Sequence, residues 1–158
     1  MTPEMLNAIA RGVRDGVVFR AGASDVELRM LEERIGLALP DELRAFYLAH
    51  DGAEGIGVAT NDDLLAVGQI MESWMVLCDV WSEIDAEPGM WSALWLPVTD
   101  DGGGSFLCVD LGAGAGETPV LRYLHGEPER PRIASSFTQW LATVEWTCRA
   151  LEPDASGS

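Results

Sequence analysis

The chain has 158 residues, 47% of them apolar and 23% charged, enough for one folded domain with a sizeable core and too apolar for a disordered chain. Its net charge is −16, and residues 51–121 carry thirteen acids and no Arg or Lys. That balance argues against direct binding of nucleic acid or of an anionic membrane surface and favours a cationic partner, with acidity for solubility alone as the plain alternative.

Residues 3–15 place Met5, Leu6, Ile9 and Val13 at helical spacing and predict a short amphipathic helix ended by Gly16. Ser24-Asp25-Val26-Glu27 is a capping-box pattern, and Leu28, Leu31 and Ile35 form the apolar face of the helix it opens. Gly36 is placed to stop that helix in a left-handed conformation. Pro40, with its fixed φ, opens the next helix, in which Leu43, Phe46, Tyr47 and His50 recur at helical spacing. From Gly55 the pattern changes to two short strands, Gly55–Ala59 and Leu64–Val67, around an Asn61-Asp62-Asp63 turn. Residues 69–86 return to helical spacing, with Ile70, Trp74, Leu77, Cys78 and Trp81 on one side.

After the Pro88-Gly89 break, Leu94–Val98, Ser105–Leu111 and Val120–Leu124 read as three strands with short connections, hence antiparallel neighbours. Ser136 caps a closing helix whose core face carries Phe137, Trp140, Leu141, Val144 and Cys148, and residues 153–158 form a polar tail expected to be disordered. The expectation is one α+β domain over residues 1–152: a mostly antiparallel sheet flanked by N-terminal helices, one central helix and the closing helix.

Chemistry-bearing patterns are weak. Gly112, Gly114 and Gly116 follow a strand as in a dinucleotide loop, but Glu117-Thr118-Pro119 reads as extended chain where that loop needs a helix. Asp100-Asp101-Gly102 lacks the alternating acids of a calcium loop. Cys78, Cys108 and Cys148 are far apart, with no CxxC pair for a zinc site or disulfide framework. Neither His50 nor His125 has a recognisable Ser or Cys nucleophile motif nearby in sequence. The expectation is a non-catalytic protein without cofactor or metal. Among six tryptophans, Trp74, Trp81 and Trp140 read as core, whereas Trp91, beside the Pro88-Gly89 break, and Trp146, off the main stripe of its helix, are candidate exposed anchors. The N-terminal residues show no basic stretch followed by an apolar one, and no apolar run nears the roughly 20 residues of a membrane span, so a cytoplasmic location without membrane contact is expected.

Three blocks in order carry a resemblance. The first is Glu32-x-x-Ile35-Gly36-x-x-Leu39-Pro40 with Leu43, Phe46 and Asp51-Gly52; the second is Trp95-Leu96-Pro97-Val98-Thr99, Asp101-Gly102-x-Gly104 and Asp110-Leu111. The third is Val120, His125 and Ile133-Ala134-Ser135-Ser136-Phe137-x-x-Trp140-Leu141. Together they resemble the SUKH superfamily, which includes fungal regulators of cell-wall synthesis and many bacterial immunity proteins. Ser105, where that family often has Asp or Asn, and the glycine-rich 112–116 connection depart from the pattern.

The resemblance implies a binding scaffold whose partner surface varies between members. The reading that follows is a bacterial immunity protein that neutralises a cognate toxin, polymorphic or contact-delivered; the toxin would be basic, for example a nuclease with a cationic groove. Candidate partner-binding residues are Asp62, Asp63, Asp79, Glu83, Asp85 and Glu87, acids of the base-free segment, together with Trp91. The alternative is a regulatory protein–protein interaction module with no toxin partner.

Overall fold

A computed structural model describes residues 18–57, 62–84, 89–100, 103–114 and 116–142. The expected helix at 3–15, the tail, Asp85, Glu87, Trp146 and Cys148 lie outside these residues.

The first unit is a helix hairpin set by local signals. Helix α1 (Asp25–Ile35) starts at Ser24, whose hydroxyl accepts the Glu27 N–H at 3.1 Å while the Glu27 carboxylate accepts the Ser24 N–H at 3.1 Å. It stops at Gly36, which adopts φ 81° and donates its N–H to the Glu32 carbonyl. Helix α2 (Asp41–Ala49) begins directly after Pro40. Glu32 fixes the turn between them, accepting the Leu39 N–H and the Arg44 guanidinium, each at 2.6 Å. Arg44 also reaches Asp25 at 2.6 Å, so one cation ties the start of α1, its third turn and α2.

The described strands form one antiparallel sheet in chain order: β1 (Val18–Phe19), β2 (Ala53–Gly57), β3 (Asp62–Leu64), β4 (Trp95–Asp100), β5 (Phe106–Asp110), β6 (Val120–Tyr123) and β7 (Arg132–Ala134). Helix α3 (Val67–Ser82) is inserted between β3 and β4, and α4, helical over 137–142, follows β7. The architecture is α+β, a single domain with helices flanking the sheet, as expected.

Strand alternation divides the core into two clusters. Leu96, Val98, Leu107, Val109 and Val120 pack with Leu28, Leu31, Phe46 and Phe137 from the hairpin and α4. Trp95, Phe106, Cys108, Leu121 and Tyr123 join the second cluster with Leu77, Trp81 and Trp91. Helix α3 serves both, with Val67 and Ile70 in the first cluster and Leu77 in the second. Pro97 is tolerated inside β4 because the register shifts between Pro97 and Thr99 and β3 pairs only with Thr99 and Asp100. The Thr99 hydroxyl takes up the Leu107 N–H at 3.0 Å at that irregularity.

Three expectations need correction. Asp62 and Asp63 lie within β3 and not in a turn, and Val67, expected to end a strand, opens α3. The cause is tertiary: the Asp51 carboxylate accepts the Val67 N–H at 2.7 Å, and the Tyr47 hydroxyl donates to the Leu65 carbonyl at 3.0 Å. Helix α3 also stops at Ser82, short of residue 86, where the Glu83 N–H reaches back to Val80 in a tighter turn at 3.3 Å. Strands β1 and β7, of two and three residues, were not expected.

Candidate functional site

Asp51 starts α3 at its first amide, and the Gln69 side chain accepts the Ala66 N–H at 2.9 Å. Below the helix, Val67, Ile70 and Leu77 are buried. Trp74 and Trp81 are half-buried and anchored by their indole N–H groups, Trp74 to the Ala93 carbonyl at 2.9 Å and Trp81 to the Tyr123 hydroxyl at 2.7 Å. Those anchors fix the rotation of the helix and therefore which residues face outward.

The outward arc combines carboxylates and aliphatic side chains. Glu72, Asp79 and, at the C-cap, Glu83 are exposed, and so are Met75, Val76 and Val80. Ile84, just beyond the helix, is exposed as well. No Arg or Lys occurs anywhere on this helix. An arc of this kind can attract a cation at range and cover apolar surface on contact.

The sequence-selected acids separate in space. Asp79 and Glu83 sit one turn apart on this arc. Asp62 and Asp63 belong to a different element, β3, with Asp63 paired across from Asp100 in β4. Trp91, expected as an exposed anchor, is half-buried: its ring packs edge-on to Trp95 at 5.9 Å and to Tyr123 at 6.0 Å between centroids. Arg130 lies over the Tyr123 ring, 4.2 Å from its centroid, with its Nε–H donated to the Met90 carbonyl. Trp91 thus gives part of its surface to packing. The aliphatic members of the α3 arc were missed in sequence, although Met75, Val76 and Val80 lie off the core stripe and make the helix apolar on more than one side.

The Cys108 thiol is fully buried and held protonated by that burial, well above the usual thiol range. Burial also raises Cys78, against the opposing effect of a hydrogen bond with Trp91. His125 is exposed at the turn after β6, its N–H donated to the Ser105 hydroxyl at 2.9 Å. Among the described residues there is no group of three or more His, Cys, Asp or Glu side chains able to hold a metal ion, and no helix is long and apolar enough to cross a membrane. The 112–116 connection joins β5 to β6 with no helix at its end, and the Asp110 carboxylate accepts the Gly112 N–H at 2.8 Å.

No curated protein matches the chain. A model of the SMI1 / KNR4 family (SUKH-1) matches residues 22–143, from the lead into α1 through the described part of α4. Members of that family are generally non-catalytic, and membership supports a protein-interaction or immunity-type role. A match of that extent covers the helix hairpin, strands β2 to β7 with α3 and the start of the closing helix in their order, and the chain belongs to the SMI1/KNR4 family (SUKH-1).

Proposed function

We propose that this chain is an immunity protein that binds and neutralises a basic bacterial toxin in the cytoplasm of the cell that makes it, without catalysis. The observation that carries the reading is the concentration of acid on an interaction scaffold: thirteen carboxylates and no Arg or Lys in residues 51–121, with Glu72, Asp79 and Glu83 on one exposed arc of α3. Acids held on a rigid helix steer a cationic partner and raise its association rate. A toxin that acts on nucleic acid must itself present a cationic groove, which makes such a toxin a natural counterpart.

The test is the reading frame beside the gene. Its C-terminal domain is expressed alone and together with this chain, and survival of the cells is scored. Protection, with a stoichiometric complex on gel filtration at moderate salt, is the expected result. A neighbouring frame that is harmless, together with retention of wall-synthesis enzymes on the immobilised chain, overturns the toxin reading in favour of a regulatory interaction module.

A further inference from the structure

Steering by acids leaves the aliphatic side chains of the same arc unexplained. Helical residues four apart line up in rows. One row of α3 is Glu72, Val76 and Val80; the adjacent row is Met75 and Asp79, reaching Glu83 at the C-cap, and Ile84 follows just past the helix. Val76 is 56% exposed, Ile84 48%, Val80 45% and Met75 42%. A single exposed aliphatic residue is ordinary, but three on one arc of one helix, with Ile84 just past its end, place apolar surface directly beside carboxylates.

The chemistry of the arc selects its occupant. An anionic membrane surface and nucleic acid are both repelled by three carboxylates with no compensating base. A second copy docked arc to arc would set acids against acids, because the arc offers them no cation. Aliphatic side chains packed into the grooves of another helix, with Arg or Lys beside the acids, satisfy both at once.

We infer that the outer arc of α3 is the docking ridge for a basic amphipathic helical segment of a partner protein, with Met75, Val76 and Val80 as its apolar contact and Glu72, Asp79 and the C-cap Glu83 pairing with the partner's cations. The inference rests on the immunity reading for the basic character of the partner and adds the surface and the shape of what binds there.

The test needs no toxin. Two synthetic 18-residue peptides of one Leu/Arg composition are titrated into the full chain by calorimetry in 150 mM NaCl, one with its leucines on a single helical face and the other scrambled. The patterned peptide should bind at least about tenfold more tightly than the scrambled one. Hydrogen exchange should slow on α3. Val76→Asp with Val80→Asp, both at exposed positions, should remove at least that tenfold preference. Val26→Asp with Met30→Asp, on the exposed apolar side of α1, should leave it unchanged, and circular dichroism confirms that each pair folds.

Equal affinity for the two peptides, equal loss from the α1 pair, or slowed exchange confined to another element overturns the assignment. So does a dimer by light scattering that Val76→Asp with Val80→Asp dissociates, which would make the arc a self-contact. A harmless neighbouring frame leaves a patterned-peptide result standing, whereas failure of the peptide test leaves a toxin to be bound through a different surface.

Discussion

At Gly52 the backbone has φ 83°, and a methyl group there would sit 2.5 Å from the Leu64 carbonyl oxygen and 2.8 Å from the Ala66 nitrogen. The constraint follows from its neighbour: Asp51 must turn its carboxylate toward the first amide of α3, and the chain must then double back into β2. Gly36 has almost the same φ, 81°, but open space where a Cβ would lie. The pair separates two costs that are usually confounded. Gly36→Ala should lose only the left-handed conformational term, about 1–2 kcal/mol. Gly52→Ala adds a backbone collision and should lose about 3–5 kcal/mol. Urea unfolding of the two variants checks this, and equal losses would show that the close approach at Gly52 relaxes freely.

Between elements, the junction that closes the domain turns on one carboxylate. Glu42 of α2 accepts the Thr138 N–H at 2.7 Å, and also the hydroxyls of Thr138 and Thr118. The Thr118 hydroxyl in turn accepts the Phe137 N–H at 3.1 Å. An acid from one helix thus sits at the positive end of another, and two threonines align it there. Glu42→Ala should cost about 2–3 kcal/mol and Glu42→Gln about 1 kcal/mol, since the amide keeps an acceptor. A double-mutant cycle with Thr138→Val should return a coupling of about 1 kcal/mol; additive losses would mean the contact contributes nothing to closure. None of this can be read from Glu42 in the sequence, because its partners are 76 and 96 residues away. The hairpin, by contrast, is legible because Ser24, Glu27, Gly36 and Pro40 act on amides within a turn of themselves. Strands β1 and β7 are too short for a period of two to show, and exist only as pairings with β2 and β6. The acids of α3 could be found in sequence, but which of them share an arc depends on how Trp74 and Trp81 lock the helix.

Across the whole molecule, charge and burial set opposite limits on stability. A net −16 repels itself in the compact state, so raising NaCl from 10 to 300 mM should raise the thermal midpoint by several degrees; a flat or falling midpoint would mean local pairs such as Arg44 with Asp25 and Glu32 outweigh the repulsion. The alkaline limit comes from the core. Burial raises the Tyr47 phenol well above its ordinary 10.0, reinforced by the Asp51 carboxylate and opposed by Arg20, and burial likewise raises the Cys108 thiol above its ordinary 9.0. Below those ordinary values both groups are protonated in either state and the full stability is present. Above them the unfolded chain releases protons that the folded one keeps, so stability must fall as pH rises. The loss starts near pH 9 from Cys108, with the partly buried Cys78 acting in the same direction, and steepens past pH 10 as Tyr47 joins, each group adding a slope of up to about 1.4 kcal/mol per pH unit. Tyr47→Phe deletes the phenol and leaves the thiols. It should cost about 1–2 kcal/mol at pH 7 by losing the hydrogen bond to Leu65, yet its stability should decline less steeply than the parent's above pH 10. Urea unfolding at half-unit steps from pH 8 to 11 resolves the two slopes. Parallel curves would mean that the phenol ionises as readily inside the fold as outside it, which its full burial against Leu65 does not permit.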